Sequence, residues 1–341
     1  MTRTARIAIV GLGNVGRAFL DLMDRKADIL RDRHDLQLIL TGAADSSGSL
    51  MATEGISPST LRAHKAAGRG VARYPMGTPG LSAPAMVAQV QADFLLEAST
   101  VNLTTGQPGL DCVRTALGRG LGAVLANKGP LVHAFAELTS AAEVAGAGLK
   151  YSATVCGALP VVNIGQRDLV GCEIRSLRGI FNSTSNSILA AMARGGSYAQ
   201  ALRQAQLDGI AEADPALDVE GWDTANKLVI IANSILGQPC TLADVAPVTG
   251  IIGITADQIR AAAARGEVVK LVAAAERIGD LYRLSVQPQW LPEDSFLAGV
   301  NGWEMGIVFD TDIMGLQQFK VDERGPVPTA AAMLRDLITL C

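Results

Sequence analysis

The chain has 341 residues, of which 49% are hydrophobic, 18% charged and 4% aromatic, with a net charge of -4. That is enough apolar material for two packed domains, and the mild acidity and few aromatic side chains exclude a basic or base-stacking nucleic-acid surface. A membrane-spanning helix needs ~18 to 20 apolar residues, and the best run, Leu228–Ile231, is broken by Asn233 and stops at Gly237.

The first strand expected, Arg6–Val10, stands so close to the start that no signal peptide is expected before it. Its apolar run leads into Gly11-x-Gly13-x-x-Gly16 and then a helix with Val15, Ala18, Phe19, Leu22 and Met23 at helical spacing. Leu36–Leu40 reads as a second strand ending near Asp45. Residues 46–85, rich in Gly, Ser and Pro, read as irregular loops. Asp93–Glu97 reads as a buried strand, Leu110–Leu117 as a helix stopping at Gly118 or Gly120, and Gly122–Ala126 as the next strand. This alternation predicts parallel βαβ units over 1–150, a doubly wound Rossmann-type α/β domain.

From Tyr151 the pattern changes, and a second, α+β domain is expected over 151–319. Leu159–Val162 and Leu177–Phe181 read as strands, and Ser197 with Gln200 reads as a capping box whose helix stops at Gly209. Two hairpins are expected, Val268–Ala275 with Tyr282–Val286 about Gly279-Asp280, and Gly306–Phe309 with Ile313–Phe319 about Asp310–Asp312. The C-terminal segment 320–341, with a helix over Thr329–Leu340, is expected to pack back on the first domain.

Five scattered cysteines, Cys112, Cys156, Cys172, Cys240 and Cys341, form no CxxC pair and point to free thiols in a reducing cytoplasm. His34, His64 and His133 lie too far apart in sequence to suggest a metal site or a Ser-His-Asp triad. A glycine triplet between strand and helix is the pattern that brings backbone and helix N-terminus up to a pyrophosphate. Asp45, after the second strand, either meets the adenosine ribose or caps a turn. With Ser46 and Ser47 after it and no arginine, capture of a 2′-phosphate is disfavoured. Lys128, in Ala126-Asn-Lys-Gly-Pro130, follows a strand at the sheet edge where ligands bind. The densest cluster is Gly209 to Lys227, with Glu212, Asp214, Asp218 and Asp223 before a largely apolar helix. Asp223 and Lys227 share a helix face, as a solvated ion pair or as a buried proton-transfer pair.

In this order these motifs, with Glu97-Ala-Ser-Thr100-Val-Asn102, Ala153-Thr-Val155, Leu159-Pro160 and Gly179–Asn186, resemble the homoserine dehydrogenase family through most of the chain. The resemblance implies a short form without a regulatory domain, and the reversible reduction of aspartate 4-semialdehyde to homoserine. It implies Lys227 and Lys128 at the reacting carbon, with Asp218 ordering Lys227. Glu212 and Asp223 would hold the substrate ammonium, with Ser183 and Thr184 in the pocket wall. Gly11, Gly13, Asn14, Val15, Gly16, Asp45, Thr100, Lys128 and Gly325 would hold the cofactor, NAD or NADP with a lean to NAD. Three positions depart from the family. Ser152 replaces a glutamate tied to a monovalent cation site, leaving at most weak coordination near Val155. Ser183 replaces a glycine beside the substrate, and the late glycine-rich loop is reduced to Asp322–Thr329.

A cytoplasmic homodimer acting on a small molecule is therefore expected. The alternatives are a same-mechanism dehydrogenase of another small hydroxy acid or hydroxy amino acid, or a cofactor-binding protein that has lost catalysis. Retention of Lys128, Glu212, Asp223 and Lys227 speaks against the second.

Overall fold

The computed structural model describes residues 2–341. They divide into two compact units, one ending at Ala158 and resuming at Gly325, the other Leu159–Arg324.

The first unit opens with β1 (Arg3–Val10), α1 (Asn14–Arg25), α2 (Ala27–His34) and β2 (Leu36–Asp45). Ile7, Ala8 and Ile9 are fully buried, as a strand covered by helices on both faces requires. α1 buries Ala18, Phe19, Leu22 and Met23, the positions its spacing picks out. β3 (Gly48–Met51), α3 (Pro58–Ala66), β4 (Gly77–Pro79) and α4 (Ala83–Gln89) follow. The expectation of irregular loops over 46–85 is thus overturned. Ser57 and Ser82 each cap a helix with a proline in its first turn, a start signal stronger than the local Gly, Ser and Pro content. β5 (Phe94–Glu97), α5 (Gly109–Gly118), β6 (Gly122–Leu125), α6 (Gly129–Ala145) and β7 (Leu149–Lys150) complete the alternation. The sheet runs β4-β3-β2-β1-β5-β6-β7. It is parallel from β2 to β7, with β3 and β4 added antiparallel at one edge. The chain crosses from the β2 side to β5 beside β1, the switch point of a doubly wound sheet.

The second unit begins with α7 (Val161–Asn163), continued as a wider turn over Ile164–Asp168. Leu159–Val162 is therefore not a strand: a bend at Leu159 and the N-cap Pro160 lead into a helix that begins at Val161. A short apolar run fits either state, and here Pro160 precedes the first helical turn. Then come β8 (Ile174–Ile180), α8 (Ser183–Ala193), α9 (Tyr198–Leu207), α10 (Ala216–Val219), α11 (Trp222–Ile235), β9 (Val245–Val248) and α12 (Ala256–Ala263). The capping box of Ser197 and Gln200 opens α9, and Gly209 follows its end with φ of 73°. Two hairpins close the unit, β10 (Glu267–Ile278) with β11 (Leu281–Pro292), and β12 (Glu304–Thr311) with β13 (Leu316–Asp322). The sheet order is β13-β12-β8-β10-β11-β9. The last helix, α13 (Val327–Ile338), belongs to the first unit. Its Ala330, Met333 and Leu337 are buried in one cluster with Ile7, Phe19 and Leu22.

Candidate active site

In the first unit, Gly11 stands at φ 90°, and a Cβ there would lie 2.2 Å from the Ala98 carbonyl oxygen. A Cβ on Gly16 would lie 2.1 Å from the Gly11 carbonyl oxygen, whereas one on Gly13 would meet nothing within 4 Å. Two glycines thus shape the turn, and the third leaves open space before α1. No side chain caps the N-terminus of α1, and its first turn carries no acid. Asn14, Val15 and Gly16 therefore present amide groups in the way a pyrophosphate requires, and the residues present fit a dinucleotide. Gly325, at φ 72°, opens the chain's return into this unit.

Asp45 ends β2 with both oxygens engaged. Oδ1 accepts from the backbone N–H of Ser47 at 2.9 Å and from its hydroxyl, and Oδ2 accepts from the Val71 N–H at 3.1 Å and pairs with Lys65. Burial pushes this carboxyl up, but the hydrogen bonds from Lys65, Ser47 and Val71 outweigh it and hold the group below its ordinary value. Of the two readings of Asp45, the turn brace is the one these contacts display.

At the other side of β1, the segment after β5 carries the exposed Thr100, and Lys128 caps α6 after β6. Glu97, the last residue of β5, is fully buried. Its Oε1 accepts from the Ser99 N–H at 3.0 Å. Asn127 links the two turns, donating to the Ser99 hydroxyl at 3.1 Å and accepting from the Gly129 N–H at 2.9 Å.

The second unit assembles a polar cluster around the start of α8. Lys227 Nζ, on α11, lies 2.8 Å from Asp223 Oδ2 one turn earlier and donates to the Phe181 carbonyl at 2.6 Å. The two side chains are only 14% and 10% exposed, so this is a semi-enclosed pair rather than a solvated one. Asn182 caps α8 by accepting from the Ser185 N–H at 2.9 Å. Its amide donates at 2.7 Å to Asp218 and at 2.8 Å to Asp223, bridging the two carboxylates. Burial, and then the charge of Asp223, raises the Asp218 carboxyl, against the pull of Asn182, Lys227 and Thr184. Thr184 also donates to the Ile210 carbonyl at 2.9 Å. Lys227 is thus paired with Asp223 directly, and Asp218 joins through Asn182. Ser183 is the first residue of α8 and half-buried. Glu212 is exposed after α9, its backbone carbonyl accepting from Gln206 at 3.2 Å.

Asn182 and Glu97 went unassigned in the sequence although both lie in motifs quoted there. The Asn182 cap had a signal, a residue of N-cap type before a helix. Glu97 had only its position at the end of an apolar strand. No group of three or more His, Cys, Asp or Glu able to hold a metal ion occurs among the described residues, and no disulfide joins the five cysteines.

A doubly wound nucleotide unit joined in one chain to an α+β unit with a lysine-carboxylate pair defines a nicotinamide-dependent dehydrogenase. A sequence model of the homoserine dehydrogenase family matches residues 160–338. The homoserine dehydrogenase of Methanocaldococcus jannaschii is 36% identical over 97% of this chain and 97% of its own. An NAD(+)-dependent homoserine dehydrogenase of Pseudomonas canavaninivorans is 33% identical over 98% of this chain and 95% of its own. A putative homoserine dehydrogenase of Archaeoglobus fulgidus superposes with a TM-score of 0.89 at 38% identity, covering 98% of each chain. The chain belongs to the homoserine dehydrogenase family.

Proposed function

We propose that the chain interconverts L-homoserine and L-aspartate 4-semialdehyde, with Lys227 moving the proton at the substrate oxygen. The observation that carries this is the enclosed Lys227–Asp223 pair braced by Asn182 and Asp218, in a chain whose relatives are homoserine dehydrogenases. Bound nicotinamide supplies the hydride acceptor for oxidation and the hydride for reduction. In the reducing direction the Lys227 ammonium donates a proton to the developing alkoxide. In the oxidising direction the same nitrogen, having lost its proton, takes the hydroxyl proton. Within the second unit, Glu212 and Asp223 hold the substrate ammonium, and Lys128 stands after the end of β6 in the nucleotide unit, where the nicotinamide half of a cofactor is expected.

Asp45 and Lys65 already satisfy one another, so a 2′-phosphate would meet a carboxylate and a neutralised lysine. NAD is therefore the preferred cofactor. A coupled absorbance assay at alkaline pH should give homoserine-dependent NAD reduction, with kcat/KM for NAD above that for NADP. Absence of any homoserine-dependent rate would remove this substrate. If Ser183→Gly then created the activity, the pocket wall at α8 would be the cause, and the native substrate would be a differently substituted hydroxy amino acid.

Ser152 bears on salt dependence. Its hydroxyl accepts from Arg335 Nη2 at 2.6 Å, and its N–H donates to the buried Asp336 at 2.8 Å. A guanidinium beside this hydroxyl repels a second cation, and a neutral hydroxyl offers a hard cation little. Adding sodium or potassium to enzyme held in tetramethylammonium chloride should therefore change the rate by less than about twofold, and a many-fold activation would restore a cation site.

The exposed Ile278, Leu281, Trp290 and Leu316 on strands of the second sheet favour a homodimer formed through this unit. A biosynthetic dehydrogenase with free thiols fits the cytoplasm.

A further inference from the structure

Glu97 is a buried acid at the end of β5. It is 0% exposed, and its Oε2 has no hydrogen-bond partner among the described residues. A buried carboxyl is ordinarily paired or fully hydrogen-bonded, so an orphaned oxygen needs a reason. Space is kept for it, because a Cβ on Gly109, the first residue of α5, would lie 2.9 Å from Oε2 and 2.7 Å from the Asn127 amide nitrogen.

Its place in the sheet is specific. Glu97 pairs in register with Val10, and the Ala98 N–H donates to the Val10 carbonyl at 2.8 Å. The turn after Glu97 therefore abuts Gly11 of the phosphate loop. The Glu97 carbonyl accepts from the Ala126 N–H at 2.8 Å, and the side chain reaches Asn127, next to Lys128. In a doubly wound sheet the adenosine half of a dinucleotide lies toward β2, so the nicotinamide half lies over the ends of β5 and β6. Glu97 stands at the end of β5, one of the two strand ends over which that half is expected to lie.

Resting on the nucleotide-binding reading above, we propose that Glu97 is a positioning residue that biases the site toward the oxidised cofactor. Its buried carboxylate favours the cationic nicotinamide ring over the neutral reduced one, through a low-dielectric layer in which charges act strongly. Burial pushes this carboxyl up from 4.5 to about 7, against the opposing pull of the polar Ser99 and Asn127 nearby. The bias is therefore absent in acid and present above neutrality. The other ionisable groups facing it are the Cys112 thiol of α5, pushed up by burial and then by Glu97 itself, with Asp111 beyond it. Lys128, next to Asn127, and His133, bonded to the Leu103 carbonyl at 2.9 Å, are the ionisable groups at the start of α6.

The test is direct binding of NAD and NADH to the intact protein at pH 6 and pH 8.5. The ratio of the NADH Kd to the NAD Kd should rise several-fold with pH in the parent, about fivefold for a carboxylate under the ring, and stay flat in Glu97→Gln. By reciprocity, NAD binding near pH 7 should release protons in calorimetry across buffers of differing ionisation enthalpy, and NADH binding should not. Glu97→Gln should be folded. A raised carboxyl pKa lowers stability as pH climbs from 4.5 to about 7, so the variant should melt above the parent at pH 8 and converge with it in acid. A parent that binds neither nucleotide would defeat the nucleotide reading itself. A parent that binds both with a pH-independent ratio, or a Glu97→Gln that keeps the proton release, would overturn the role of Glu97. Should the variant fail to fold, the parent's proton count decides alone.

Discussion

Lys227→Ala should lower kcat by ~10²-fold or more while leaving NAD affinity within about twofold, as expected of a removed acid/base group that does not touch the nucleotide. Two contacts go with the ammonium, the 2.8 Å pair with Asp223 and the 2.6 Å bond to the Phe181 carbonyl. What remains is Asn182 between two carboxylates, with no lysine to offset their repulsion. Asp218, already raised by burial and by Asp223, should then hold its proton to still higher pH. The loss therefore has a chemical part and an electrostatic part, and Lys227→Arg separates them. Arginine restores the charge but not a proton donor of suitable acidity, so it should recover melting temperature and leave kcat low. Steady-state rates, nucleotide binding and thermal melts on the three proteins give the answer. An alanine variant within a factor of two or three of the parent would remove Lys227 from the chemistry.

The parts of this fold legible in the sequence were those with a strong local signature. The period of α1, the glycine triplet after β1 and the capping box of α9 each rest on neighbours in sequence, and each stands where its residues indicate. The segment 46–85 has a loop-like composition that hides its helix starts. Ser57 with Pro58, and Ser82 with Pro84, start helices in the middle of a loop-like stretch. At Leu159–Val162 the ambiguity was intrinsic, since four apolar residues satisfy a buried strand as well as a buried helix. The candidate site divided in the same way. Asp223 and Lys227 sit one helical turn apart, so their pairing could be read from spacing. The bridge through Asn182 joins residues separated by 36 and 41 positions, and no local pattern reports that. Nor does sequence show that Asp45 is tied by Lys65 and Val71, or that Arg335 reaches Ser152 across 183 positions.

The glycine loop gives the other large expected effect, and the three glycines should fail in different ways. Gly16→Ala places a methyl 2.1 Å from the Gly11 carbonyl oxygen, a backbone atom that cannot swing aside. The turn must open, α1 must shift from the sheet, and both stability and cofactor binding should fall. Gly11→Ala adds a left-handed φ of 90° to a 2.2 Å clash with the Ala98 oxygen, so it should be at least as damaging. Gly13→Ala is the informative case. Its φ of -73° is not left-handed, and the new methyl meets no protein atom within 4 Å. The fold should be untouched, with a melting temperature within about a degree of the parent, since surface changes of this kind move stability by only a few tenths of a kcal/mol. The methyl nevertheless points into the space before the α1 N-terminus, where the backbone must approach a pyrophosphate closely. NAD affinity should therefore drop by roughly 10- to 100-fold, about 1.4 to 2.8 kcal/mol of binding. A Gly13→Ala protein that melts normally and binds NAD as the parent does would place the phosphates elsewhere, because no structural damage could be blamed for the result.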